Sequence, residues 1–279
     1  MRSVLLIASI TIREALRRRV WLGVLVILVG LALADFTIPP GMQRHSRFGG
    51  DSAERLKHGI EMAQYFGTRI MLFFASIMAI LLGASQVSAE VERGTLATIL
   101  AKPIRRVQVL LGKWLGLVAF GVCVILFCYS VNWLVLGLRY GFGAGATFNV
   151  PALLVMLLYP TLYGTITMAW SSFAGMALSL LLTAMLYAAT FVGDGIVQLI
   201  AQVTDNKSLK DLEILSRWVI PHQRLGEWLF SLEKGLATTI VQAIRGVPEG
   251  TLFDKLYIFI YIIAFFWFSH LIFSRRDVQ

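Results

Sequence analysis

Residues 114–138 read WLGLVAFGVCVILFCYSVNWLVLGL, 25 residues without a formal charge. The hydrocarbon core of a bilayer is about 30 Å thick, and a helix rising about 1.5 Å per residue crosses it in about 20 residues. A soluble core element of this length would carry polar residues interleaved at helical or strand period, and this run has only Ser130 and Asn132, at no such period. Its length predicts a transmembrane helix. The whole chain agrees with that reading: of 279 residues 57% are hydrophobic and 15% charged, and the mean hydropathy is positive. That much apolar surface exceeds what a soluble domain of this size can bury.

Working outward, Val20 to Ile38 is interrupted only by Asp35, and Ile70 to Ala89 and Leu256 to Ser274 are charge-free runs of similar length. From Tyr140 to Gly193 there are 54 residues without a charge, too many for one span and right for two joined by a tight turn, placed here between Trp170 and Gly175. The expected architecture is an all-α membrane protein, one domain over residues 1–279, with six transmembrane helices at about 20–38, 66–89, 110–138, 150–170, 174–201 and 253–274. The stretch Val4 to Ile10 is not a cleavable leader, because Arg13 and Arg17 to Arg19 follow it with no small-residue cleavage site.

Charge distribution orients the spans. If the N-terminus is cytoplasmic, the inner segments hold 12 basic and 4 acidic residues, a balance of 12 − 4 = +8, and the outer ones 13 and 12, a balance of +1. The inner charges crowd short segments at helix ends, where the positive-inside bias acts. The expectation is a multi-pass protein of the cytoplasmic (inner) membrane with both termini in the cytoplasm.

Three segments are neither span nor simple loop. Val4, Ile7, Ala8, Ala15 and Leu16 recur at helical spacing ahead of a basic cluster, which predicts an N-terminal helix in the membrane interface. Between Glu90 and Lys113, Gly94 ends the second span, Thr95 caps a short helix carrying Leu96, Ile99 and Leu100, and Pro103 breaks it. Between spans five and six, at about 206–246, two amphipathic stretches are expected to lie on the outer leaflet. The first is Ser208 to Pro221 and the second carries Leu225, Trp228, Leu229 and Leu232, while a smaller one, Arg55 to Phe66, precedes span two.

The run Glu90-x-Glu92-Arg93-Gly94-Thr95-Leu96, then Lys102-Pro103-Ile104-Arg105 and Leu111-Gly112-Lys113, resembles the signature of the type-2 ATP-binding-cassette (ABC) exporter permeases. Ile12-Arg13-Glu14-Ala15-Leu16-Arg17 is similar to the connecting helix of that family. Arg106, after Arg105, departs from the family's single arginine preceded by a small or polar residue. The resemblance implies that residues 90–106 form a cytoplasmic coupling helix, in which Glu90, Glu92, Arg93, Gly94, Thr95, Leu96, Lys102, Pro103 and Arg105 meet an ATPase. It implies that Arg13, Glu14 and Arg17 clamp the same subunit. It further implies two copies of the ATPase, which bind ATP and Mg, and a second copy of this permease or a paralogue beside it.

No phosphate-binding loop is present, since the nearest candidate, Gly112-Lys113, has Val107 where its first glycine belongs and Trp114 after it. The chain is therefore expected to be no enzyme, to hold no cofactor of its own and to bind no nucleic acid. An intramembrane protease is disfavoured because Phe191 stands where Gly-x-Gly-Asp needs its first glycine. The alternative that keeps the same fold is a non-transporting scaffold or an assembly or signalling subunit.

For the substrate pathway the candidates are Asn132, Tyr159 beside the kink-forming Pro160, and Asp194 between two glycines, because polar groups inside a membrane are costly and tend to be functional. Cys123 and Cys128 lie too far apart along one helix to bridge. His45, His58, His222 and His270 lack ligand spacing, so no metal site is expected. Gly112 and Gly116 are spaced for close helix contact.

Overall fold

A computed structural model describes residues 2–17, 21–36, 51–88, 106–142, 147–191, 221–233 and 252–275, and every regular element among them is an α-helix. They are α1 (Arg2–Arg17), α2 (Trp21–Phe36), α3 (Asp51–Ser85), α4 (Arg106–Tyr140), α5 (Val150–Met156), α6 (Leu158–Ser171), α7 (Met176–Phe191), α8 (Pro221–Leu232) and α9 (Leu252–Arg275). Among the described residues, four stretches are long and apolar enough to cross a membrane: Lys57–Ser85, Arg106–Tyr140, Val150–Ser171 and Lys255–Arg275. The helices α2 and α7 are equally apolar but run only 16 residues each. Residues 90–105, expected to form most of the coupling helix, Asp194, and the stretches 206–220 and 234–246 expected on the outer side lie outside the described residues.

One expectation is corrected by α3. Arg55 to Phe66 is not a separate interfacial helix, because it continues without a break into the apolar part of α3, a single helix of 35 residues. Tertiary contact holds the polar half straight. Ile60 and Ala63 pack on Leu136 of α4 with Trp133 and Tyr140 around them, and Glu61 faces Lys57 and His58 one turn back.

The Val150–Ser171 span bends at Leu157, between α5 and α6. Pro160 has no N–H to offer the carbonyl of Met156, and its ring crowds that carbonyl, so the ladder opens one turn before the proline. Asn149 starts α5 as an N-cap, its side-chain oxygen accepting from the Ala152 N–H at 3.1 Å.

In α5–α6, 83% of the apolar window is buried, against 22% in α9, which puts α6 at the centre and α9 at the periphery. Its polar side chains are silenced locally: Thr161, Thr165 and Thr167 donate to carbonyls four residues back, and Trp114 of α4 donates to Thr165 at 2.8 Å. A Cβ at Gly83 would stand 2.8 Å from the Gly164 carbonyl, so α3 and α6 cross nearly backbone to backbone. The main core, including Ile27, Leu31, Met71, Leu117, Ile125, Met156 and Leu162, fills the space around that crossing.

Candidate functional site

Two groups of residues stand out, one at each end of the bundle. At the first end, α1 runs against the start of α4. A Cβ on Gly112 would come within 2.7 Å of Ile7, and one on Gly116 within 2.7 Å of Thr11. The glycine pair is therefore used inside the chain, to seat α1. The inward face of α1 is small, with Ala8, Thr11 and Ala15 buried, while Leu5, Leu6, Ile10 and Leu16 point outward together with Arg13 and Arg17.

The same end joins the two sides of the undescribed segment 89–105. Lys113, buried in α4, donates to the carbonyl of Gln86 just past the end of α3. Arg106 donates to the carbonyls of Phe273 at 3.4 Å and Ser274 at 3.0 Å, where the last turn of α9 leaves carbonyls without helical partners. Ser172, in the turn between α6 and α7, meets Ser269 of α9 at 2.7 Å. The chain that follows the segment is thus tied through Lys113 to the end of α3 and through Arg106 to the end of α9.

At the opposite end α8 lies over α5, α6 and α9. Its Leu225 and Leu229 are fully buried, so this amphipathic helix turns that part of its apolar face onto protein. Beneath and beside it is a polar cluster drawn from distant parts of the chain. Arg69 of α3 donates to Glu233 at 2.6 Å, and its guanidinium lies 4.7 Å from the Tyr65 ring and 5.5 Å from that of Phe230.

His222 Nδ1 meets the Tyr163 hydroxyl at 2.9 Å, and its ring contacts those of Tyr159 and Tyr187. Burial, and then the positive charge of Arg69, lower His222 to about 4, so the imidazole is neutral at pH 7. Burial pushes the Glu233 carboxyl up, and Arg69 offsets part of that. Asn149 donates to the Leu232 carbonyl at 2.7 Å, closing the last turn of α8. Among the described residues, no three His, Cys, Asp or Glu side chains converge as a metal site would require.

With this geometry in place, comparison with known proteins is informative. The sequence model of a family described as ABC-2 family transporter protein matches residues 5–278. The chain belongs to the ABC-2 transporter family. No match to a curated protein was found. This ABC-2 permease is accordingly a multi-pass membrane protein of an ABC transporter, and membership of the family implies a partner ATPase subunit.

Within this ABC-2 permease, Arg13 and Arg17 are exposed on α1 and Glu14 half-buried. Of the pathway candidates, Tyr159 belongs to the cluster under α8, its hydroxyl 3.8 Å from where a Cβ on Gly226 would sit. Asn132 is buried in α4 against Gly67 and Leu31, and its side-chain oxygen accepts no hydrogen bond from the described residues. Sequence reading missed Arg69, Glu233, His222, Tyr163 and Asn149. Arg69 carried a visible signal, a charge inside an apolar helix. Its partner, 164 residues away, did not.

Proposed function

We propose that the chain forms the substrate path of an ABC exporter and couples it to ATP hydrolysis on a separate subunit. The observation that carries this reading is the family match along residues 5–278. Residues 90–106, with Glu90, Glu92 and Arg93 ahead of Gly94, Thr95 and Leu96 and with Lys102, Pro103 and Arg105 behind, are the coupling helix. They dock in a groove of the ATPase, and Arg13, Glu14 and Arg17 of α1 touch the same subunit. The chain holds no cofactor and catalyses no reaction itself; ATP and Mg are bound by two ATPase copies.

Six spans, with α2 and α7 as the two shorter ones, place both termini and the coupling helix in the cytoplasm and α8 outside, in an inner membrane. The anchoring of both flanks of the coupling segment supports this mechanism. Closure of the ATPase pair pushes on the segment, Lys113 carries the push to the end of α3 and Arg106 carries it to the end of α9. A second permease copy, or a paralogue, completes the path.

Charge reversal at Glu92 tests the coupling directly. Glu92→Lys, co-reconstituted with its ATPase, is expected to insert normally and to leave ATP hydrolysis no longer stimulated by transport. Export at the wild-type rate by that variant would remove Glu92 from the coupling interface.

A further inference from the structure

The helices α3 and α4 outrun the bilayer at the α8 end. Each has 35 residues, about 52 Å at about 1.5 Å per residue, against about 30 Å of hydrocarbon. They touch at the opposite end, where Lys113 reaches the Gln86 carbonyl. About 20 residues from that contact, the length that crosses the hydrocarbon, lie Phe66 on α3 and Trp133 on α4. What continues past them stands in water. Packing fixes the register of the two projecting ends, because Asn132 lies on Gly67 and Leu136 packs against Ile60 and Ala63. Residues 134–138 of α4 are therefore level with Lys57, His58 and Glu61 of α3, and the Lys57 and His58 side chains are 60% and 42% exposed.

At that height α4 shows an apolar surface. Leu134, Val135 and Leu138 share the face turned away from Leu136 and α3, and they are 45%, 41% and 71% exposed. Phe142 extends it. Gly141, at φ 94°, ends the helix with its N–H on the Gly137 carbonyl at 2.8 Å. The chain turns there, and the Phe142 ring lies back on Gly137, where a Cβ would strike it, with the Trp133 ring 5.0 Å away. The ring is thus fixed against α4 and still half exposed.

We propose that the projecting face of α4, formed by Leu134, Val135, Leu138 and Phe142, docks a helix of a different membrane protein, one that runs beside α4 out of the bilayer and carries a carboxylate at the height of Arg139.

Three observations select that occupant. Height argues against lipid: acyl chains cover Phe127, but Leu138 is level with water-exposed charges, where bare aliphatic surface calls for protein. Continuity argues for a membrane helix over a soluble protein. Phe127, Val131, Leu134 and Leu138 are spaced four, three and four residues apart, one stripe that begins inside the bilayer and ends outside it. Charge argues for a different chain over a second copy. Arg139 is exposed beside Val135, its guanidinium 5.2 Å from the Tyr140 ring. A twofold contact along the stripe would set Arg139 near its own copy, whereas a carboxylate at that height would be attracted.

Cysteine labelling tests the dock without knowledge of the partner's identity. Leu138→Cys is placed in a Cys123→Ala, Cys128→Ala background and expressed at its native level in the source cell. A membrane-impermeant maleimide is applied to two samples: native membrane fragments open on both sides, and the purified chain in lipid nanodiscs. Lys57→Cys and Phe127→Cys serve as height markers, the first expected to label fast in both samples and the second in neither.

The Leu138→Cys thiol is expected to label as fast as Lys57→Cys in nanodiscs and at least about tenfold more slowly in native membranes, the protection given by a partner at about ten times its Kd. Adding Arg139→Glu is expected to bring the native-membrane rate up toward the nanodisc rate. Leu134→Cys should repeat the pattern and carries the test if the Leu138→Cys protein is not monodisperse. Fast labelling in both samples would mean that nothing docks, and slow labelling in nanodiscs that lipid or a second copy covers the face; either overturns the proposal. Protection that survives Arg139→Glu overturns the proposed acidic partner. No ATPase or solute enters the experiment, so each of these outcomes leaves the permease reading untouched.

Discussion

His222 shows how a single side chain ties structure to solution conditions. It is held neutral by burial and by Arg69, and the groups that face it include Arg69 from α3, Tyr159 and Tyr163 from α6 and Tyr187 from α7. The folded value of about 4 lies below the ordinary 6.5, so the folded state takes up fewer protons than the unfolded one between those limits. The contribution of His222 to stability is complete above pH 6.5 and is lost as pH falls toward 4. Thermal unfolding followed from pH 7.5 to pH 4 should show the midpoint falling through about that window, and His222→Gln, which cannot titrate, should flatten that part of the curve. An identical pH profile in the variant would mean that other groups set the dependence. Gly116 makes a steric case at the same scale. Its Cβ position lies 2.8 Å from the Ala8 carbonyl, a backbone atom that cannot swing aside. Gly116→Val should force α1 off α4 at a cost of about 1–3 kcal/mol, seen as earlier proteolysis within residues 2–17.

Among the elements, α3, α4 and α9 meet at the α1 end through polar side chains that cap carbonyls, the end to which the proposed function assigns coupling. Lys113 is the most informative of these, since it reaches from one flank of segment 89–105 to the other. Lys113→Met keeps the buried stem but deletes the bond to Gln86, so reconstituted protein should insert normally yet show a several-fold lower ratio of solute moved to ATP hydrolysed. An unchanged ratio would show that the flanks move independently. The elements were unevenly legible in the sequence. Charge-free runs marked α4 and α9 because a helix in lipid satisfies its own backbone and needs only apolar side chains of sufficient length. The bend at Leu157 was foreshadowed by Pro160, whose effect is local. The first half of α3 was not legible as part of a span: its Lys57, Glu61 and Arg69 end an apolar run on paper, whereas in space Lys57 pairs with Glu61 and Arg69 with Glu233. Nor did the apolar face of α8 declare whether protein or lipid would cover it. For the candidate site, Tyr159 was visible through its proline neighbour, while the Arg69–Glu233 and Tyr163–His222 contacts join residues that no periodicity connects.

For the whole molecule, the central question is where a solute passes. The middle of the chain is occupied: α6 is enclosed by α3, α4, α7 and α9, and Tyr163, Ile166 and Leu162 at its core are at most 1% exposed. Among the described residues, packing of this density leaves no route through a single copy short of separating α3 from α6, whose backbones already touch at Gly83 and Gly164. A route that opens and closes at low cost is better placed between two chains, where rigid bundles rock without breaking their own cores. Two permeases then carry two coupling segments, one for each ATPase of a closing pair. The expected assembly is therefore two permeases with two ATPases. Multi-angle light scattering of the complex purified in nanodiscs, with the lipid and scaffold mass subtracted, should return that stoichiometry for the species that hydrolyses ATP. Tethering two permease copies in one polypeptide should preserve activity, whereas one Glu92→Lys half in such a tandem should depress transport as strongly as two, because both motors must grip for the bundles to move. Full activity from a complex holding one permease would place the path inside the single chain and require α3 and α6 to part.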